Sequence, residues 1–170
     1  MIKIISTILL VCLLHPSIFA CSCKDIPTIE ESIQNNDLIF EGKVLTYEII
    51  EYFSNSVEKV IPMDSVKYKL ATQYSGMSDF EKGTIMAKCR VLVQKLIKGT
   101  IATDTITIIT GLGGGDCGYI FEASKNYLVY ANVQSNERKA QGRDYFTTTI
   151  CTRTKKYNKR EARKVEKALV

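Results

Sequence analysis

The chain opens on an apolar run. Residues 4–14 are interrupted only by Ser6 and Thr7, Lys3 is the one charge among residues 1–20, and the run stops at Pro16, before Ser17-Ile18-Phe19-Ala20. A positive start, an apolar stretch of about 7–15 residues and a small residue at the cut are the features of a secretory signal peptide. A spanning helix needs about 20 apolar residues, and no run here reaches that length. Residues 1–20 are read as a signal peptide, cleaved after Ala20. Residues 21–170 are read as one exported domain, secreted or held in the periplasm or at the cell surface, with no transmembrane segment.

Past the leader the hydrophobic pattern changes period several times. Residues 21–27 read as extended, because the residue before Pro27 avoids the helical region. Thr28 followed by Glu31 has the form of a capping box, and Ile29 and Ile33 share a face of a short helix ending near Asn35-Asn36. Residues 38–47 are rich in strand formers, with 48–53 as a candidate continuation. Residues 54–83 carry turn residues at Ser54-Asn55-Ser56, a candidate short strand at 66–70 and a polar stretch through Ser75-Gly76. They read as a long excursion between two core strands.

Residues 84–98 alternate with period two: Ala87, Cys89, Val91 and Val93 on one face, Lys88, Arg90 and Gln94 on the other. Lys98-Gly99-Thr100 turns the chain, and 103–110 is a further strand with Ile106 and Ile108 opposed to Thr105 and Thr107. Residues 112–118 form a glycine-rich loop, 127–132 and 145–152 the last two strands, and 158–169 a helix signalled by Asn158 and Glu161. The pattern predicts a mainly β fold, a five-stranded Greek-key barrel of the OB type with a short N-terminal helix and a C-terminal helix.

Composition narrows the chemistry. The only histidine, His15, lies in the leader, and the chain has no tryptophan. The mature domain thus lacks the commonest general base and the commonest zinc ligand. No carboxylate spacing suggests hydrolysis, and Gly113-Gly114-Gly115 lacks the Lys-Ser/Thr that makes a phosphate loop. The reading is a protein that is not an enzyme and needs no cofactor. The net charge is +5, with seven lysines and arginines between Lys155 and Lys167. Because Glu161 and Glu166 interleave with them, the run reads as a solvated helix face, with no nucleic-acid partner expected.

Six cysteines, less Cys12 in the leader, leave Cys21, Cys23, Cys89, Cys117 and Cys151. In an oxidising compartment they suggest two bridges and one thiol. Cys89 is the odd one out, since it lies on the apolar phase of its strand, where a thiol behaves as a small hydrophobe. Four cysteines allow three pairings, and spacing does not choose among them. Cys21 with Cys23 is disfavoured by bridge geometry.

An immediate Cys21-Ser22-Cys23, a helix, and then Asn36-Asp37-Leu38-Ile39-Phe40-Glu41-Gly42-Lys43-Val44 is similar to the opening of the tissue inhibitors of metalloproteinases and their netrin-like and bacterial relatives. Val91-Leu92-Val93-Gln94-Lys95-Leu96-Ile97-Lys98-Gly99, Asp116-Cys117-Gly118-Tyr119, Tyr127-Leu128-Val129-Tyr130-Ala131 and Thr149-Ile150-Cys151 resemble later pieces of the same family, in order. The resemblance implies bridges Cys21–Cys117 and Cys23–Cys151. It also implies a protease-binding ridge of Cys21, Ser22, Cys23 and Lys24 beside Gly114, Gly115, Asp116 and Cys117.

The function it implies is inhibition of a zinc metalloproteinase, with the Cys21 α-amine and carbonyl chelating the partner's zinc in trans. Ser22 would point into the pocket beside that zinc. A carboxylate at Asp116 close to the amine would favour the ammonium form and oppose ligation. Two departures stand out: Ile33 occupies the place of a third cysteine, and a basic helix replaces the cysteine-rich C-terminal subdomain. The alternative is a non-inhibitory netrin-like binding module. A lipoprotein anchored at Cys21 is a further option, suggested by Ile18-Phe19-Ala20-Cys21, and it would consume the sulfur that the first bridge needs.

Overall fold

In the computed structural model of the protein the described residues are Cys23 and residues 25–52, 58–62, 84–113, 116–133 and 145–169. Helix α1, Ile29–Asn35, starts as expected. The Glu31 N–H donates to Thr28 Oγ1 at 3.2 Å, and the Thr28 N–H donates to Glu31 Oε2 at 2.7 Å. Its far end is closed by Lys98, whose ammonium donates to the Ile33 and Asn36 carbonyls. A cation on the last carbonyls of a helix satisfies orphan acceptors and meets the negative end of its dipole.

Strand β1, Leu38–Tyr52, is the spine. It runs antiparallel to β3, Thr84–Lys98, from Ile39 opposite Lys98 to Tyr52 opposite Thr84. Register shifts at Ile39/Phe40, Glu41/Gly42 and Val44/Thr46 bend this ribbon, as bulges do by adding local twist. The bend lets one strand serve two neighbours on its other edge. Leu38 to Lys43 pair with β5, Asn126–Val133, while Ile50 to Tyr52 pair with β2, Glu58–Val60. Gly42 makes the tight bend possible, since a Cβ there would lie 2.7 Å from both Phe40 Cε2 and Val91 Cγ1.

Beyond β3 comes β4, Thr105–Thr110, antiparallel to it. Strand β6, Tyr145–Thr147, lies parallel to β4 and antiparallel to β5, and β7, Lys155–Lys156, adds to the start of β5. The pairings run β1–β3–β4–β6–β5 and return to β1. The fold is mainly β, as the pattern predicts.

One face of the strands encloses Phe40, Val44, Cys89, Val91, Ile108 and Val129, with Tyr119 and Phe121 tilted against each other beside them and both edge to face with Tyr127. The other face, Ile39, Leu128 and Tyr130, is covered by Ile29 and Ile33 of α1 and by Ala162 and Val165 of α2, Lys159–Ala168. Burial on both faces is why 127–131 reads as a continuous apolar run. A third cluster, Ile49, Ile61, Ile85 and Ala87, seals the outer half of the β1–β3 ribbon.

The structure departs from the sequence pattern at its C-terminal strand. The expected strand over 145–152 stops at Thr147. Thr148 Oγ1 donates to the Tyr130 carbonyl at 2.8 Å, Thr152 Oγ1 donates to the Thr149 carbonyl at 2.8 Å, and the Cys151 N–H donates to Thr149 Oγ1 at 3.1 Å. Threonine hydroxyls offer the backbone partners other than a ladder, so a β-branched run turns instead of extending. The candidate strand at 66–70 and the leader lie outside the described residues. No helix among the described residues is long and apolar enough to cross a membrane.

Candidate functional site: the disulfide-tied ridge

Three short segments meet at one edge of the strands. The first is Cys23 with residues 25–27, the second residues 111–113 and 116–118, and the third the turn 148–153. Asp116 builds the second. Its Oδ2 accepts the Leu112 N–H at 2.6 Å, and its Oδ1 accepts the Gly113 and Gly118 N–H groups at 2.9 and 3.0 Å. Three donors on one carboxylate make an anion-binding turn whose anion is its own side chain. The turn needs left-handed backbone at Gly113, φ +86°, and at Cys117, φ 58°. Gly118 passes so close to Gly111 that a Cβ would sit 2.0 Å from its carbonyl carbon.

The second segment is fastened to the third. The Ile150 N–H donates to the Cys117 carbonyl at 2.9 Å, and Gly118 bridges Thr149. Thr110 Oγ1 accepts the Tyr119 N–H and donates to the Thr148 carbonyl, both at 2.8 Å. The first segment is fastened twice. Cys23 is bonded to Cys151 with Cα atoms 5.3 Å apart, one of the two bridges the resemblance implies. Four residues on, Arg153 Nη1 donates to the Pro27 carbonyl at 2.6 Å.

The same arginine reaches Glu161 on α2, Nε to Oε1 at 3.1 Å, and Lys155 holds the other oxygen at 2.6 Å. Burial alone would raise the Glu161 pKa, but Lys155 and Arg153 outweigh it and hold the carboxyl below its ordinary value. Helix α2 therefore braces the ridge through one ionic relay. Around these anchors the ridge carries aliphatic side chains in solvent: Ile26 is 66 % exposed, Ile120 61 % and Ile150 38 %.

Of the residues read as the binding ridge, Cys23, Asp116 and Cys117 are described. Cys117 is disulfide-bonded. Cys21, Ser22, Lys24, Gly114 and Gly115 lie outside the described residues, and with them the expected Cys21–Cys117 pair. Cys89 is a free thiol, fully buried, pushed up to about 12 by that burial. Asp116 engages its own loop, a role its spacing does not reveal. Arg153, Thr110 and the exposed isoleucines escape sequence reading too. The one hint is Arg153 standing two residues after a bridged cysteine.

No group of three His, Cys, Asp or Glu side chains among the described residues is placed to hold a metal. Compared with protein-family models the chain matches none, and compared with curated proteins it finds no relative.

Proposed function

We propose that this chain is an exported protease-binding module that inhibits a zinc metalloendopeptidase through its N-terminal segment, carried on a five-stranded Greek-key barrel of the OB type. The parallel β4–β6 pair and the return of the pairings to β1 support the barrel. The observation that carries the function is the fastening of Cys23–Pro27 and the Cys117 loop onto one turn, by the Cys23–Cys151 bridge and the Ile150-to-Cys117 hydrogen bond. A segment held before it meets its partner loses little conformational freedom on binding. Exposed Ile26, Ile120 and Ile150 give the ridge apolar contact area.

In this reading the partner's zinc keeps an open position, filled by the α-amine and carbonyl oxygen of Cys21, while Ser22 enters the adjoining pocket. The pairing Cys21–Cys117 belongs to the proposal. It is supported by Cys117 being disulfide-bonded while Cys23 and Cys151 are joined to each other and Cys89 is free. The same observation favours an unmodified Cys21 over a lipid-anchored one.

The test is inhibition of a panel of zinc endopeptidases by the protein starting at Cys21 and by the same protein with one residue added before it. The expected result is inhibition by the first and a loss of at least about 100-fold in the second, because the extension removes an amine ligand. If neither form inhibits any enzyme, or both inhibit equally, the ridge binds a partner by contact alone and the chelation reading is wrong.

A further inference from the structure

The interleaved acids of the C-terminal helix do not dilute its basic face. Glu161 points to Arg153 and Lys155, and Glu166 pairs with Lys95 at 2.7 Å. Of the seven cations between Lys155 and Lys167, two precede the helix and are paired, Lys155 with Glu161 of the helix and Lys156 with Glu122 of the body, each at 2.6 Å. The remaining five, Lys159, Arg160, Arg163, Lys164 and Lys167, line one shallow open groove. None of the five has an acidic partner among the described residues.

On a helix they form two rows at i, i+4 spacing, about 6 Å between neighbours and about 12 Å from Lys159 to Lys167. We propose that this face of α2 binds a linear polyanionic polysaccharide carrying sulfate or carboxylate groups.

Three observations choose that partner. The helix has already used its apolar face, Ala162 and Val165, on the core. An interfacial membrane helix must keep such a face for the acyl boundary, and here, among the described residues of the helix and its cap, only Ala168 and Leu169, at the end, are apolar and exposed. The groove is lined by cations alone, and the exposed aromatic Tyr157 lies outside it, in an adjoining cleft where Lys159 and Arg163 meet Glu41 and Glu166 and a stacked nucleotide would face two carboxylates. Two of the five are arginines, whose forked donors match planar carboxylate and sulfate oxygens. The proposal is independent of the zinc reading, because α2 contributes no residue to that ridge.

The full chain would be titrated with dextran sulfate, uncharged dextran, phosphatidylglycerol vesicles and a DNA duplex, at about 150 mM salt where exposed charges are screened beyond about 8 Å. Binding is expected to dextran sulfate above the other three. Replacing Arg160, Arg163 and Lys164 together by Gln should weaken it at least about tenfold, since three contacting charges are lost. Replacing Lys43, Lys59 and Lys125 by Gln removes the same net charge elsewhere and should change it less than about twofold. Circular dichroism checks that both variants are folded. No binding to dextran sulfate at this salt, equal losses in the two variants, or tighter binding to vesicles or duplex would each overturn the proposal.

Discussion

Asp116 is exposed, yet it holds the backbone at Leu112, Gly113 and Gly118 in place through three charge-assisted hydrogen bonds. Asp116→Ala should therefore cost about 1–3 kcal/mol in urea denaturation, and Asp116→Asn less, because one acceptor oxygen survives. If the charge mattered only through a nearby amine, both variants would leave stability unchanged. Cys89 sets a second residue-scale expectation. Its thiol is pushed up to about 12 from an ordinary value of 9.0, and burial likewise pushes Tyr119 and Tyr130 to about 12 from 10.0. An unfolded chain sheds these protons at lower pH than the folded one. Stability should therefore hold below about pH 9 and fall as pH rises from there towards 12. Cys89→Ala should flatten the first part of that fall, measured as denaturation midpoints between pH 8 and about 11.

At the scale of elements, α2 is coupled to the N-terminal segment by the Arg153–Glu161–Lys155 relay. Glu161→Gln should destabilise the fold by about 2 kcal/mol at neutral pH, since charged hydrogen bonds at a mostly buried carboxylate are lost. Because the Glu161 carboxyl ionises more readily folded than unfolded, its contribution is full above the unfolded value of about 4.5. It disappears as pH falls through the lower folded value, so the gap between variant and parent should be full at pH 7 and shrink steadily as the pH is lowered below 4.5. Both helices, the strands from 38, 84, 105 and 126, and the burial of Cys89 were legible in the sequence, since each has a strong period or a cap. Strands β2 and β7 were not, because three and two residues carry no period. The threonine turn at 148–152 reads as a strand in the sequence because β-branched residues signal both. In the candidate site, the cysteines were legible as chemistry. The hydrogen bonds that Asp116 and Arg153 make join residues far apart in sequence or within a tight loop, and neither leaves a pattern.

For the whole molecule, ring order and crosslink tell the same story. The spine strand β1 begins fifteen residues after Cys23, yet its partner β5 and the closing strand β6 come from the last third of the chain. The Cys23–Cys151 bridge spans a sequence separation of 128 residues. In the chain-entropy model a loop of that size is worth about 5 kcal/mol against the unfolded state, an upper figure when strain intervenes. The long-range character of these pairings makes the native state dependent on nearly the full described chain, and the ridge inherits that dependence. Reduction should therefore release the ridge and lower global stability together, which a denaturation curve and a limited-proteolysis map of residues 23–30 would follow in parallel.

The position of Cys89 inside that loop has a kinetic side. After the leader, a chain emerging from its N-terminus presents Cys21 and Cys23 and then Cys89, before Cys117 and Cys151 exist to be paired. In that interval the most available partner for an N-terminal thiolate is the wrong one. What ends the competition is the packing of Cys89 itself, which the β1–β3 ribbon carries and which residues of β4 and β5, Ile108 and Val129 among them, bury completely. A thiol held at about 12 is almost never a thiolate at neutral pH and so cannot take part in exchange. The packing of Cys89 between those strands thus guards the correct pairing. Slowing that packing, by Gly42→Val at the crowded bend, should raise the fraction of chains trapped with a Cys23–Cys89 crosslink during oxidative refolding. Adding Cys89→Ala to that variant should remove the trapped species.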